Sequence, residues 1–116
     1  IGTQSNGNIA LMVNMAKNGG LPWDVILGAE VVGAYKPMPE AYTRACEALG
    51  LAPEQVMMVA AHTNDLLAAQ AQGLRTAFVA RPLEFGTQNL KADIEPHPSM
   101  DVSAWSFTEL ADKLGC

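Results

Sequence analysis

The chain has 116 residues, enough for one domain, and its 49% apolar and 16% charged residues build a core and exclude a disordered chain. Seven Lys and Arg stand against twelve Asp and Glu, a net charge of −5, which leaves no basic stripe for a nucleic-acid backbone. Asn, Lys, Glu or Gly breaks every apolar run short of a membrane span, and the two cysteines, Cys46 and the terminal Cys116, make no disulfide framework and fit the reduced thiols of the cytoplasm.

In chain order, short apolar runs alternate with amphipathic segments. Ile1–Gln4 reads as the second half of a strand, with no initiator Met or leader before it, so a further segment is expected upstream. The strand ends at Ser5-Asn6-Gly7-Asn8, and a helix over Ile9–Lys17 is closed by Asn18-Gly19-Gly20. Trp23–Leu27 is a short strand, and Gly28–Lys36 a connecting segment. Pro37-Met38-Pro39-Glu40 opens the next helix, because proline suits a first turn; Tyr42, Ala45, Cys46 and Leu49 share its inner face and Gly50 stops it.

Gln55–Ala61 is a continuous apolar run, the pattern of a strand buried on both faces. His62-Thr63-Asn64-Asp65 is the turn at its carboxyl end, and Leu66–Gln72 is a helix ended by Gly73. Thr76–Val79 is another buried strand. Arg81 to Pro98 reads as a long polar loop with room for one helical turn, and Asp101–Trp105 as a last, weak strand. Ser106-Phe107-Thr108-Glu109 fits a capping box before a terminal helix carrying Leu110 and Leu114 on one face. No internal repeat or low-complexity tract is present.

Strands and helices alternating at this spacing give an α/β domain over residues 1–116, with a mostly parallel sheet and helices on both faces. In such sheets ligands bind beyond the carboxyl ends of the strands. Three polar clusters fall there. Ser5-Asn6-Gly7 places a hydroxyl and an amide at a strand-to-helix turn, where N–H groups of the helix start favour an anion. Lys36 precedes a proline-started helix. Asp65 opens the helix after the most apolar strand, with His62 and Asn64 beside it, and Arg81 follows the next strand.

Each of these has an ordinary structural role as well. Ser5 and Asn6 are good helix N-caps, a lysine before proline is usually solvated, and an Asp at a helix start stabilises the dipole. His62 suits a loop, and His97, near two prolines, a surface loop. Met12, Met15, Met57 and Met58 suit the interior. No Cys/His spacing fits a zinc site, and no glycine-rich dinucleotide fingerprint follows a strand.

Taken in order, the clusters resemble the later motifs of the haloacid dehalogenase superfamily, in its 2-haloacid dehalogenase branch. Gly33-Ala34-Tyr35-Lys36-Pro37-Met38-Pro39-Glu40-Ala41-Tyr42 is similar to that branch's Lys-Pro segment. Val56 through Asp65, followed by Gly73 through Val79, resembles its final motif and next strand. The resemblance implies a partial Rossmann-like fold and an aspartate-nucleophile hydrolase, in which an Asp on the first strand displaces halide and the resulting ester is hydrolysed. It gives Lys36 the task of holding the nucleophilic carboxylate, and Asp65 that of orienting Lys36 and positioning water. Ser5, Asn6, His62 and Asn64 are left to bind the substrate carboxylate or departing anion, with His62 standing where the pattern has Asn or Ser.

The resemblance also implies what these residues lack. Phosphatases of the superfamily carry a magnesium-binding acid where this chain has Ala61, so neither a metal nor a cofactor is expected. Asp24, Asp65, Asp93, Asp101 and Asp112 are the aspartates, and none sits in a first-motif setting. The chain is therefore expected to be the carboxyl-terminal half of the core, without the first strand and the cap, and inactive alone. A missing central strand would leave two sheet halves with open edges, which predicts a homo-oligomer. The partner expected for the complete protein is a small-molecule acid, with no nucleic acid and no membrane. The alternatives are a non-catalytic, self-associating α/β module with an anion-binding turn, and a metal-dependent phosphatase relative.

Overall fold

Five short strands and five α-helices lie along residues 1–87 and 92–116, the part of the chain that the computed structural model describes. They form two compact units, Ile1–Ala52 and Pro53–Cys116, and each holds its own parallel sheet.

In the first unit β1 (Gly2–Gln4) pairs in parallel with β2 (Val25–Leu27), with Thr3 opposite Ile26. Helix α1 (Ile9–Gly19) starts at Asn8, whose side chain accepts from the Leu11 N–H at 2.8 Å, and ends at Gly20 in the left-handed region. The cap is thus Asn8, and neither Ser5 nor Asn6 fills that role. The segment after β2 is not wholly irregular, since Ala29–Val32 forms a one-turn helix, α2. Four residues are too few to show a helical period, which is why the sequence reads as connection there.

Helix α3 (Pro39–Leu49) has proline at its first turn and buries Tyr42, Ala45 and Cys46 as expected, and Ala41 besides, whereas Leu49 remains on the surface. Burial pushes the Cys46 thiol up, so it is an inert core group. Leu27, Val32 and Ala45 form the unit's core, with Val25 against them.

The second unit has β3 (Met57–Ala60), β4 (Arg75–Val79) and β5 (Val102–Ala104) in that order, all parallel. Residues of β4 alternate between two apolar clusters. Phe78, continued by Ala80, packs with Leu66 of α4 (Thr63–Ala71), while Ala77 and Val79 pack with Ala104 and with Leu110 of α5 (Phe107–Leu114). Helices on both faces follow from this alternation. The buried strand is β4. The apolar run of β3, expected to be covered on both faces, lies at the edge of its sheet, and Val59 is 37% exposed.

Two further boundaries differ from expectation. Helix α4 begins at Thr63, so the predicted turn His62–Asp65 is already its first turn. At α5 the Ser106 hydroxyl accepts from the Glu109 N–H at 3.0 Å, and Glu109 reaches back to the Trp105 N–H at 2.8 Å, one residue beyond the cap. Of the four methionines assigned to the interior, Met57 and Met58 pack on the clusters, while Met15 is 54% exposed. The helical turn expected between Arg81 and Pro98 has no helix in the described residues, and part of that span lies outside them. No helix among the described residues is long and apolar enough to cross a membrane.

Candidate functional site

Most of the polar residues picked out in the sequence stand at strand exits, Ser5 and Asn6 in the first unit and His62, Asn64 and Asp65 in the second, while Lys36 lies between α2 and α3. In the first unit Ser5 follows β1, and its N–H extends the ladder by donating to the Leu27 carbonyl at 3.1 Å. The Ser5 hydroxyl accepts from the Gly7 N–H at 3.0 Å, which tightens the turn and leaves its own proton available to a ligand. Asn6 turns to the Lys36 segment: its Oδ1 accepts from the Lys36 N–H at 2.7 Å, and its Nδ2 donates to the Lys36 carbonyl at 3.1 Å. The structure therefore brings Asn6 and Lys36 together, and Lys36 is half-buried just before a cis Lys36–Pro37 bond.

The start of α1 does not wait for an outside anion. The Ile9 N–H donates to the Glu30 carboxylate, at 3.0 and 3.3 Å from its oxygens, and the Leu11 N–H is taken by Asn8. Glu30 thus supplies the negative charge that the helix dipole favours. Gly28 makes this possible, because a Cβ there would stand 2.8 Å from Glu30 Oε2 and 3.0 Å from the Gly7 carbonyl oxygen. An open cleft of about 340 Å³ lies alongside, lined by Asn6, Asn8, Glu30 and Tyr35 among others.

In the second unit His62 leaves β3 as the residue before α4, with Asn64 exposed and Asp65 half-buried in the first turn, where a carboxylate suits the dipole. His62 Nε2 lies 2.9 and 3.0 Å from the two oxygens of Glu84. An ionised carboxylate only accepts, so Nε2 carries the shared proton. Arg81 Nη1 stands 3.6 Å from the same carboxylate. The Thr63 N–H at the helix start donates to Asp93 at 2.7 Å. The segment after β4 therefore folds back on the turn after β3 at two places. His97 is exposed, with Nδ1 against the Ser99 hydroxyl at 2.8 Å.

Glu30, Glu84 and Asp93 were not singled out in the sequence. Each reaches its partner across 21 to 30 residues, from a segment with no local motif, so no sequence pattern marks them. Among the described residues no three His, Cys, Asp or Glu side chains are grouped to hold a metal ion.

The sequence matches the haloacid dehalogenase-like hydrolase family over residues 4–73. The fold matches the crystal structure of a defluorinating L-2-haloacid dehalogenase with a TM-score of 0.96 and 50% identity, over 100% of this chain and 47% of that one. A Salmonella typhi phosphoglycolate phosphatase is 32% identical over 93 residues, 80% of this chain and 34% of its own length. An (S)-2-haloacid dehalogenase from Xanthobacter autotrophicus is 30% identical over 79 residues, 66% of this chain and 31% of its own length. The chain thus spans about a third of the curated relatives and 47% of the structural one.

Proposed function

The chain belongs to the haloacid dehalogenase-like hydrolases, and from that membership we propose that it carries the lysine, the acid and the anion-holding groups of a 2-haloacid dehalogenase. The observation that supports this most is the 50% identity to an L-2-haloacid dehalogenase across the whole chain. Ser5 and Asn6 follow β1, Lys36 follows α2 just before α3, and Asp65 lies in the first turn of the helix after β3, in the order that the resemblance requires. Ala61 favours the dehalogenase over the phosphatase relatives, because a methyl group offers no oxygen to a hard cation.

In this reading the nucleophilic aspartate lies outside these 116 residues. Its carboxylate oxygen attacks C2 of the haloacid, the carbon–halogen bond breaks, and halide leaves. Lys36 holds that carboxylate as its ammonium partner. Asp65 accepts a proton from the water that attacks the ester carbonyl, releasing the 2-hydroxy acid and restoring the nucleophile. The Ser5 hydroxyl holds the substrate carboxylate, and Asn64 offers a donor to the departing halide, beside His62, whose Nε2–H is engaged by Glu84. Neither metal nor cofactor enters these steps.

The test is halide release from L-2-chloropropionate. A full-length enzyme carrying this stretch should lose at least about a hundredfold in kcat in Lys36→Ala and in Asp65→Ala, while the 116-residue chain alone releases none. Hydrolysis of phosphoglycolate with magnesium, in place of halide release, would move the chain to the phosphatase relatives. Halide release by the chain alone, lost in both variants, would place a nucleophile within it. The open edge at β3 also favours self-association of the isolated chain, which gel filtration reads directly.

A further inference from the structure

We infer that Asn6 is a positioning residue for Lys36, fixing the root of the lysine through both polar groups of its backbone. What the lysine does is taken from the proposed reaction; how it is held comes from the geometry of the first unit alone.

The carboxamide of Asn6 lies against residue 36 as one peptide group lies against another in a ladder. Its oxygen accepts from the Lys36 N–H at 2.7 Å, and its nitrogen donates to the Lys36 carbonyl at 3.1 Å, across 30 residues of sequence. Few side chains can do both. An aspartate lacks the donor, a serine presents one atom in place of two, and a glutamine adds a methylene that shifts both bonds.

The turn that carries Asn6 is itself pinned. On one side the Ser5 N–H continues the β1–β2 ladder to Leu27, and on the other the Gly7 N–H closes on the Ser5 hydroxyl. Around the lysine, the Met38 N–H donates to the Tyr35 carbonyl at 2.9 Å, and the Arg44 guanidinium donates to the carbonyls of Val32 and Gly33 at 3.2 and 3.3 Å. Lys36 thus lies in a braced segment, and Asn6 ties its own N–H and carbonyl to the exit of β1. The sheet thereby sets where the lysine side chain starts. A reacting group misplaced by about 1 Å can cost on the order of a hundredfold in rate, so this anchoring bears on catalysis without touching substrate.

Two measurements test the assignment. In the 116-residue chain, amide exchange of Lys36 should speed up at least about tenfold in Asn6→Ala, while the amides of Leu11 and Ser5 stay as protected as before. Asn6→Asp keeps the acceptor, so it should retain most of the protection at the Lys36 amide and shows that the fold survives substitution. In the full-length enzyme with L-2-chloropropionate, Asn6→Ala should lower kcat by about ten- to a hundredfold with KM within about threefold. Ser5→Ala should act chiefly on KM, as expected for a group that holds the substrate. Unchanged Lys36 exchange in Asn6→Ala, or a loss confined to KM, overturns the assignment. If the enzyme releases no halide from any haloacid, the proposed reaction falls, and the exchange measurement still decides whether Asn6 anchors Lys36.

Discussion

His62 and Glu84 meet side chain to side chain, with Nε2 2.9 and 3.0 Å from the two carboxylate oxygens, and so tie the segment after β4 to the exit of β3. The Glu84 side chain is only 15% exposed, and Arg81 approaches the same carboxylate. A covered carboxylate with two donors contributes more than a solvated pair. Glu84→Ala should therefore cost about 0.5–1.5 kcal/mol in urea unfolding, and Glu84→Gln, which keeps an acceptor oxygen, less. A double-mutant cycle with His62→Asn should return a coupling of about 0.5–1 kcal/mol; a coupling of zero would mean that the two side chains meet without stabilising the turn.

The start of α1 depends on a glycine that no turn geometry demands. Gly28 has φ −81°, which alanine adopts freely, so the objection to a side chain there is steric. Its Cβ would lie 2.8 Å from Glu30 Oε2, 3.0 Å from the Gly7 oxygen and 3.1 Å from the Ile9 nitrogen. Gly28→Ala should cost about 1–3 kcal/mol and shift the Ile9 amide resonance, as Glu30 is pushed off the helix end. Gly20→Ala is the contrast: open space surrounds the new methyl, and only the left-handed backbone, at φ 62°, opposes it. A cost of about 1 kcal/mol with the Ile9 resonance in place is expected there.

These two relationships show where the sequence stops being readable. Element order, parallel pairing and most helix ends follow from local signals: Gly20 and Gly50 close α1 and α3, Pro39 opens α3, and Ser106 with Glu109 caps α5. What stays hidden is contributed from a distance. Glu30 at Ile9, Glu84 at His62 and Asp93 at Thr63 each look in sequence like a solvated charge in a connection. The pairing of Asn6 with Lys36 is hidden for the same reason, although each residue alone is a candidate by its place in the sequence. Burial is legible only in part, because an apolar run does not say how many neighbours it meets; β3 reads as fully covered and lies at an edge, while β4 is the covered strand.

The helix that carries Asp65 is held by its neighbour in sequence. Leu66 is 0% exposed and packs with Phe78 and Ala80, with Met58, Ala60 and Met100 around them. Leu66→Ala leaves a cavity under the first turn of α4 and should cost about 2–5 kcal/mol by denaturant unfolding. Leu114, 45% exposed at the end of α5, should lose under about 1 kcal/mol on the same substitution. Equal losses at the two positions would mean that α4 is not anchored through Leu66.

Asp101 joins β5 to β4 in a way that makes the second unit sensitive to acid. Its Oδ2 accepts from the Thr76 N–H at 2.8 Å and the Thr76 hydroxyl at 3.3 Å, and its Oδ1 accepts from Arg75 at 3.3 Å. The Thr76 N–H foremost, with Arg75 in support, holds the Asp101 carboxyl below the usual carboxylate range against the upward push of burial. A folded value below the unfolded one of about 3.9 means that the unfolded chain binds the proton more readily. The stability that Asp101 gives is therefore complete above about pH 4 and is lost as pH falls from there through the lower folded value. Asp101→Asn removes the titration, so its urea midpoint should fall less steeply than wild type below about pH 4, while lying lower at neutral pH. Glu109 is also held low, by Lys113 foremost and by the Trp105 N–H, and titrates in the same region. The decisive quantity is thus the difference between variant and wild type, in which Glu109 cancels. A constant difference from about pH 2 to about pH 7 would show that the Thr76 contacts leave the Asp101 titration where it is in the unfolded chain.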